Sequence, residues 1–83
     1  METNVRKIEV LGPGCARCRE TYRVVRHVVE QAGLAIAVEK IESTARMVEL
    51  GVLVTPAVAV DGKLVLSGRI PKAEEIKQLL GVA

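Results

Sequence analysis

From Val5 to Leu11 the chain alternates, with Ile8 and Val10 on one face and Lys7 and Glu9 on the other, and the run stops at Gly12-Pro13-Gly14. Period-two alternation of β-branched residues ended by turn formers predicts a strand. From about Ala16 to Ala32 the period changes. Tyr22, Val25, Val28, Val29 and Ala32 recur at helical spacing opposite a stripe of Arg19, Arg23, Arg26 and Glu30, and Gly33 supplies the stop. Ala35 to Ile41 reads as a second strand, and a strand reached through a helix implies a right-handed parallel crossover. Ser43 is placed to cap a short helix through Leu50 that Gly51 closes. Beyond the apolar loop Val52-Leu53-Val54 and Thr55-Pro56 come two β-rich runs, Ala57 to Val60 and Lys63 to Leu66. Asp61-Gly62 between them predicts a type I′ hairpin. Pro71 suits the first position of a last helix in which Ala73, Ile76, Leu79 and Leu80 face inward before Gly81. The order is βαβαββα, in the α/β class.

Length limits what these elements can build. A chain of 83 residues supports one domain, residues 1–83, with no repeat, linker or low-complexity tract. Apolar residues make up 49% and charged residues 27%, and Tyr22 is the one aromatic, so the expected core is aliphatic. A formal net charge of +2 with no aromatic platform argues against nucleic acid. No run has signal-peptide or membrane-span length, so a cytoplasmic protein without a membrane partner is expected.

Both cysteines lie in Gly12-Pro13-Gly14-Cys15-Ala16-Arg17-Cys18, and three roles compete for them: redox couple, metal clip and structural staple. A staple closing four residues is worth only about 2 kcal/mol in the chain-entropy model, and a reducing compartment disfavours it. Cys18 continues the stripe of Tyr22, Val25, Val29 and Ala32 and is the sheltered thiol. Cys15 stands at the start of the helix, where unpaired N–H groups and the positive end of the dipole favour a thiolate. Arg17 adds a cation to the same effect. Two unequal thiols three residues apart suit disulfide exchange: one attacks and the other resolves.

Strand, CxxC at a helix start, parallel strand, short helix, Thr-Pro, hairpin and terminal helix together resemble the thioredoxin fold over nearly the whole chain. GPGCARC with TPAVAVDGKLVLSGRIP is similar, more narrowly, to the small thioredoxin-like redox-active disulfide proteins. The resemblance implies a minimal thioredoxin fold, a four-stranded mixed sheet with helices on both faces, and a thiol-disulfide oxidoreductase needing no cofactor. It makes Cys15 the nucleophile, Cys18 the resolving cysteine and Pro56 a cis-proline facing them, with Thr55 offering backbone to a substrate peptide. Gly68 would let a substrate backbone approach. Glu9, six residues before Cys15, and Lys40 resemble the family's buried acid and its lysine partner, a proton relay; the competing assignment makes both solvated positions on half-covered strands. Implied partners are a disulfide-containing protein or small molecule and an upstream disulfide reductase, with the chain acting as a monomer. Two departures matter: no tryptophan precedes Cys15, and Ala16-Arg17 stands where thioredoxin has Gly-Pro, so the reduction potential is not inherited. Ser67-Gly68-Arg69 lacks the glutaredoxin pattern that holds glutathione.

The rival is a soft-metal module, since Cu(I) and mercury carriers also place CxxC after a first strand. Those carriers run βαββαβ and end on a strand, and they usually have Met before the cysteine loop, where this chain has Gly12-Pro13-Gly14. A closed zinc site needs four ligands, and His27, the sole histidine, belongs to the charged stripe; no metal ligand set is expected. A scaffold using Val52-Leu53-Val54 as contact surface is the third option, although a short apolar loop more often packs on its own domain.

Overall fold

A computed structural model of the chain describes residues 5–14 and 16–81. The elements are β1 (Lys7–Leu11), α1 (Ala16–Gln31), β2 (Ala37–Ile41), α2 (Thr44–Leu50), β3 (Ala57–Val60), β4 (Lys63–Ser67) and α3 (Ala73–Leu80), the βαβαββα order expected. They form one mixed sheet in the order β2-β1-β3-β4, with β1 parallel to β2 and antiparallel to β3, and β3 antiparallel to β4.

The sheet divides the core. On one side Ile8, Val10 and Val58 meet Val25, Val28 and Val29 of α1 and Ile76 and Leu80 of α3. On the other Leu11, Ala57 and Ala59 meet Met47 and Leu50 of α2, with Val52 and Leu64. β1 and β3 are therefore covered on both faces. Their short Val/Ala-rich sequences suit that position, because neither side chain set must reach solvent.

Local chemistry closes each element. Asp61 and Gly62 have φ of 51° and 83°, the paired positive angles of a type I′ turn. The Asp61 carboxylate also accepts the N–H groups of Arg6 at 3.0 Å and Lys7 at 2.9 Å, tying the hairpin to the start of β1. Ser43 Oγ accepts the Arg46 N–H at 3.3 Å, and Gly51 ends α2 in the left-handed conformation. A bulge in the β3–β4 pairing sets Val58 opposite Leu66 but Ala59 opposite Leu64, leaving Val65 as the extra residue. Val65 and Leu66 consequently both pack on the α1/α3 side and Leu64 on the α2 side.

Some boundaries and faces differ from the sequence expectation. α3 starts at Ala73, not Pro71, because the Glu75 carboxylate accepts the Lys72 N–H at 3.0 Å and makes Lys72 the cap, leaving Pro71 buried in the connection. Leu79 and Ala32 are exposed: the core-facing line of α3 is Ala73, Ile76 and Leu80, and α1 ends at Gln31, one residue before Ala32. Among the described residues no helix is long and apolar enough to cross a membrane.

An eight-residue helix has little stability of its own, so α3 depends on its two buried anchors. Ile76→Ala should cost about 2–5 kcal/mol in urea unfolding. Leu79→Ala should stay within about 0.5 kcal/mol, the signature of a side chain outside the core.

Candidate functional site

The carboxyl end of β1 runs directly into the Gly12–Gly14 turn and the start of α1. The Gly12 N–H donates to the Ile41 carbonyl at 3.0 Å, so the turn leaves the sheet still anchored to the end of β2. Cys15 lies outside the described residues. Cys18, the third residue of α1, is 1% exposed. Its sulfur sits against Gly12: a Cβ added there would overlap Cys18 Sγ, lie 3.1 Å from Cys18 Cβ and come 3.7 Å from Thr55 Cβ. Gly12 thus lets three segments converge, the end of β1, the first turn of α1 and the loop before β3. Its role was missed from the sequence, where it read as an ordinary turn former.

Thr55-Pro56 is cis, and Pro56 is fully buried. The Pro56 carbonyl accepts the Gly68 N–H at 2.9 Å. Gly68 has φ of 87°, and a Cβ there would lie 3.3 Å from Val54 Cγ1. Gly68 therefore braces the Thr55-Pro56 loop by a backbone hydrogen bond and by leaving room for Val54. Of the apolar loop only Val52 packs inward; Leu53 is 94% exposed and Val54 54%, contrary to the expectation that the loop covers its own domain. The Val52 N–H donates to the Met47 carbonyl at 2.9 Å, which pins the start of the loop to the end of α2.

Glu9 and Lys40 do not meet. In the parallel register Glu9 faces Glu39 and Val10 faces Lys40, so Glu9 and Lys40 project from opposite faces of the sheet. Lys40 Nζ lies 5.9 Å from the centre of the Tyr22 ring on the α1 side. Glu9 is 2% exposed, which overturns the solvated alternative for it while Lys40 is exposed as that alternative has it, and the partner of Glu9 is Arg46 of α2. Arg46 Nε donates to Glu9 Oε2 at 2.9 Å and Nη2 to Oε1 at 2.8 Å, the bidentate fork that suits a buried carboxylate. Those hydrogen bonds hold the Glu9 carboxyl below the ordinary carboxylate range, against the opposing push of burial, and raise the Arg46 guanidinium further. A signal was present in the sequence: Arg46 is the one cation between residues 43 and 50.

The approach to the cysteine turn is charged. Arg17 is exposed, and its carbonyl accepts the hydroxyl of buried Thr21 at 2.9 Å. Arg19 Nη1 donates to the Gly14 carbonyl at 2.9 Å. On the α-carbon side of Gly14, whose φ is 84°, a Cβ would overlap Glu42 Oε2. Cys18 and Thr55 thus meet at Gly12, Gly68 braces Pro56 and Val54 of the same loop, Arg17 is exposed and Lys40 lies elsewhere. A pocket of about 460 Å³ beside Tyr22, Arg23 and His27 on α1 touches none of these groups. Among the described residues no three metal-capable side chains come together.

A family model described as a thioredoxin domain matches residues 6–81. A thioredoxin of Methanothermobacter thermautotrophicus is 38% identical over 74 residues, spanning 89% of this chain and 96% of its own. A thioredoxin of Methanocaldococcus jannaschii is 40% identical over 73 residues, spanning 88% of this chain and 84% of its own.

The Glu9–Arg46 pair makes stability depend on pH. A carboxyl whose folded value lies below its unfolded value stabilises fully above the ordinary range near ~4.3 and loses that contribution as pH falls through the folded value. Arg46→Gln should therefore lower the urea midpoint at pH 7, with the gap to the parent protein closing as pH falls below about 4. Glu75, lowered to about 2 chiefly by its hydrogen bonds from Arg69, titrates in both proteins and cancels in the difference.

Proposed function

The chain belongs to the thioredoxin-domain family, and from that premise we propose that it is a disulfide oxidoreductase working through Cys15 and Cys18. The observation that carries the proposal is the convergence of Cys18, Gly12 and the cis Thr55-Pro56 segment at the end of β1. Such a meeting point puts a sheltered thiol beside an exposed loop, the arrangement a resolving cysteine needs.

The Cys15 thiolate attacks one sulfur of a substrate disulfide, forming a mixed disulfide and releasing the other substrate sulfur as a thiolate. Cys18 then gives up its proton and attacks the Cys15 sulfur, closing the Cys15–Cys18 disulfide, and the second substrate sulfur leaves as a thiolate that takes up a proton. Two electrons pass to the substrate, and an upstream disulfide reductase returns them. Burial shelters Cys18 from outside disulfides until the mixed disulfide forms beside it. Arg17 and the start of α1 favour the Cys15 thiolate. Thr55 presents backbone to the substrate, and Leu53 and Val54 give its flanking residues an apolar surface. Glu9, held as a carboxylate by Arg46, ties α2 to β1 and takes no part in a relay with Lys40. Substrates are disulfides of proteins or small molecules in the cytoplasm, met by a monomer of one domain, residues 1–83. The carrier alternative, with Cu(I) or mercury on the CxxC, has no structural support: the element order is βαβαββα, and the chain's last described element is a helix.

Cys18→Ser should accumulate a mixed disulfide with a model protein disulfide, because attack proceeds and resolution does not, whereas Cys15→Ser should accumulate none. Arg17→Ala should slow alkylation of Cys15 at pH 7 by a few-fold without changing the unfolding midpoint. Mass spectrometry of alkylated peptides reads both, and Cys18 reacting before Cys15 would reverse the roles.

A further inference from the structure

Gly14, the residue bonded to Cys15, is bracketed by opposite charges. Arg19 holds its carbonyl at 2.9 Å, and the Glu42 carboxylate lies against its α-carbon, closely enough that no side chain fits between them. Consecutive α-carbons are ~3.8 Å apart, so a carboxylate touching Gly14 stands one peptide unit from the Cys15 backbone. Across that span a unit charge near a protein surface is felt strongly, and more so where the intervening space is protein.

The other charges around the turn are one-sided or already matched. α1 contributes Arg17 and Arg19 and the positive end of its dipole, its Glu20 being paired with Arg23, and β2 contributes Lys40, against the Tyr22 ring, with Glu39 on the opposite face beside Glu9. The loop of residues 52–56 contributes no charge. After β4, Arg69 is bound to Glu75, and on β1 Glu9 is bound to Arg46. His27 lies nearly three turns along α1. Glu42, exposed on the connection from β2 to α2, is thus the carboxylate that opposes the two arginines, and among the described residues it has no ion pair that would cancel its charge.

Resting on the assignment of Cys15 as nucleophile, we propose that Glu42 tunes the redox pair: seated against Gly14, it opposes Arg17, Arg19 and the helix terminus and keeps Cys15 from ionising as fully as they alone would make it. Glu42 touches no reacting atom and acts only through the Cys15 thiol. The consequence is chemical. A thiolate that is too stable is a poor nucleophile and a good leaving group, which shifts a dithiol toward the oxidant end of its range. The carboxylate holds Cys15 nearer the optimum for attack and the couple nearer the reducing end.

The test is the pH dependence of iodoacetamide alkylation of Cys15 in the reduced full chain, followed peptide by peptide. Glu42→Gln should lower the alkylation midpoint by about 0.5 pH unit or more. Glu42→Asp should restore it at least halfway, Glu74→Gln on the exposed face of α3 should leave it in place, and 1 M salt should shrink the Glu42→Gln shift. Equilibration with a glutathione buffer should show Glu42→Gln as the more oxidising protein. Glu42→Ser serves as a second neutral variant should Glu42→Gln misfold. An unchanged or raised midpoint in the neutral variants, with Cys15 reacting first in the parent protein, would overturn the role of Glu42 and leave the redox assignment standing. A parent protein whose Cys15 is inert would overturn both.

Discussion

β1 is a five-residue strand that has no face open to water, and the arrangement of the rest of the molecule follows from that constraint. Its even residues, Ile8 and Val10, must be covered by α1 and α3, and its odd residues, Glu9 and Leu11, by α2. Covering Leu11 takes ordinary apolar packing. Covering Glu9 takes a cation with two donors at fixed spacing, and Arg46 supplies it from the first half of α2. A buried carboxylate left alone would be costly, so the pair specifies where α2 sits as much as it stabilises it. With α2 placed, the chain that leaves it through Gly51 and Val52 arrives at the end of β1, and Thr55 meets Gly12 there.

The same strand explains which parts of the fold were legible. Period-two and helical patterns, turn glycines and the Asp61-Gly62 hairpin are local signals, and each produced an element within two residues of its observed bounds. Long-range covering is not local. Glu9 alternates with apolar neighbours just as a solvent-facing residue does, and only the presence of α2 on that face makes it buried. Leu79 shows the converse: helical spacing allows it an inward position, but the core-facing line of α3 is filled by Ala73, Ile76 and Leu80, and Leu79 is left at its margin. Leu53 follows the same logic, because the loop is pinned at Val52 and Gly68 and its middle stays exposed between them.

Site legibility divides in a similar way. Cys15, Cys18 and Thr55-Pro56 are named by spacing and by resemblance, since the chemistry needs those residue types. The residues that bring them together are generic by type. Gly12 is a turn glycine until Cys18 is seen lying on it, and Gly68 is another until its N–H is seen on the Pro56 carbonyl. Glycine carries no chemical signature, so its function here, permission for close approach, becomes visible only with the partner in place.

Charge is distributed so that the scaffold and the site are kept apart. Away from the cysteine turn the ion pairs are closed within the scaffold: Arg46 with Glu9 across the sheet, Arg69 with Glu75 from β4 to α3, and Arg26 with Glu30 along α1. Each such pair spends its field locally, and an exposed one adds little to stability. At the turn the pattern reverses. Arg17, Arg19 and Glu42 form no ion pair among the described residues, and Arg19 is committed to a neutral carbonyl. Their fields therefore remain available to whatever charge develops beside Gly14, which in the proposed mechanism is the Cys15 thiolate. The matched pairs lie on both faces of the sheet, along α1, between α2 and β1 and between Arg69 and α3, whereas the unmatched charges gather at the cysteine turn, so the field there is set by different side chains from those that pair within the scaffold.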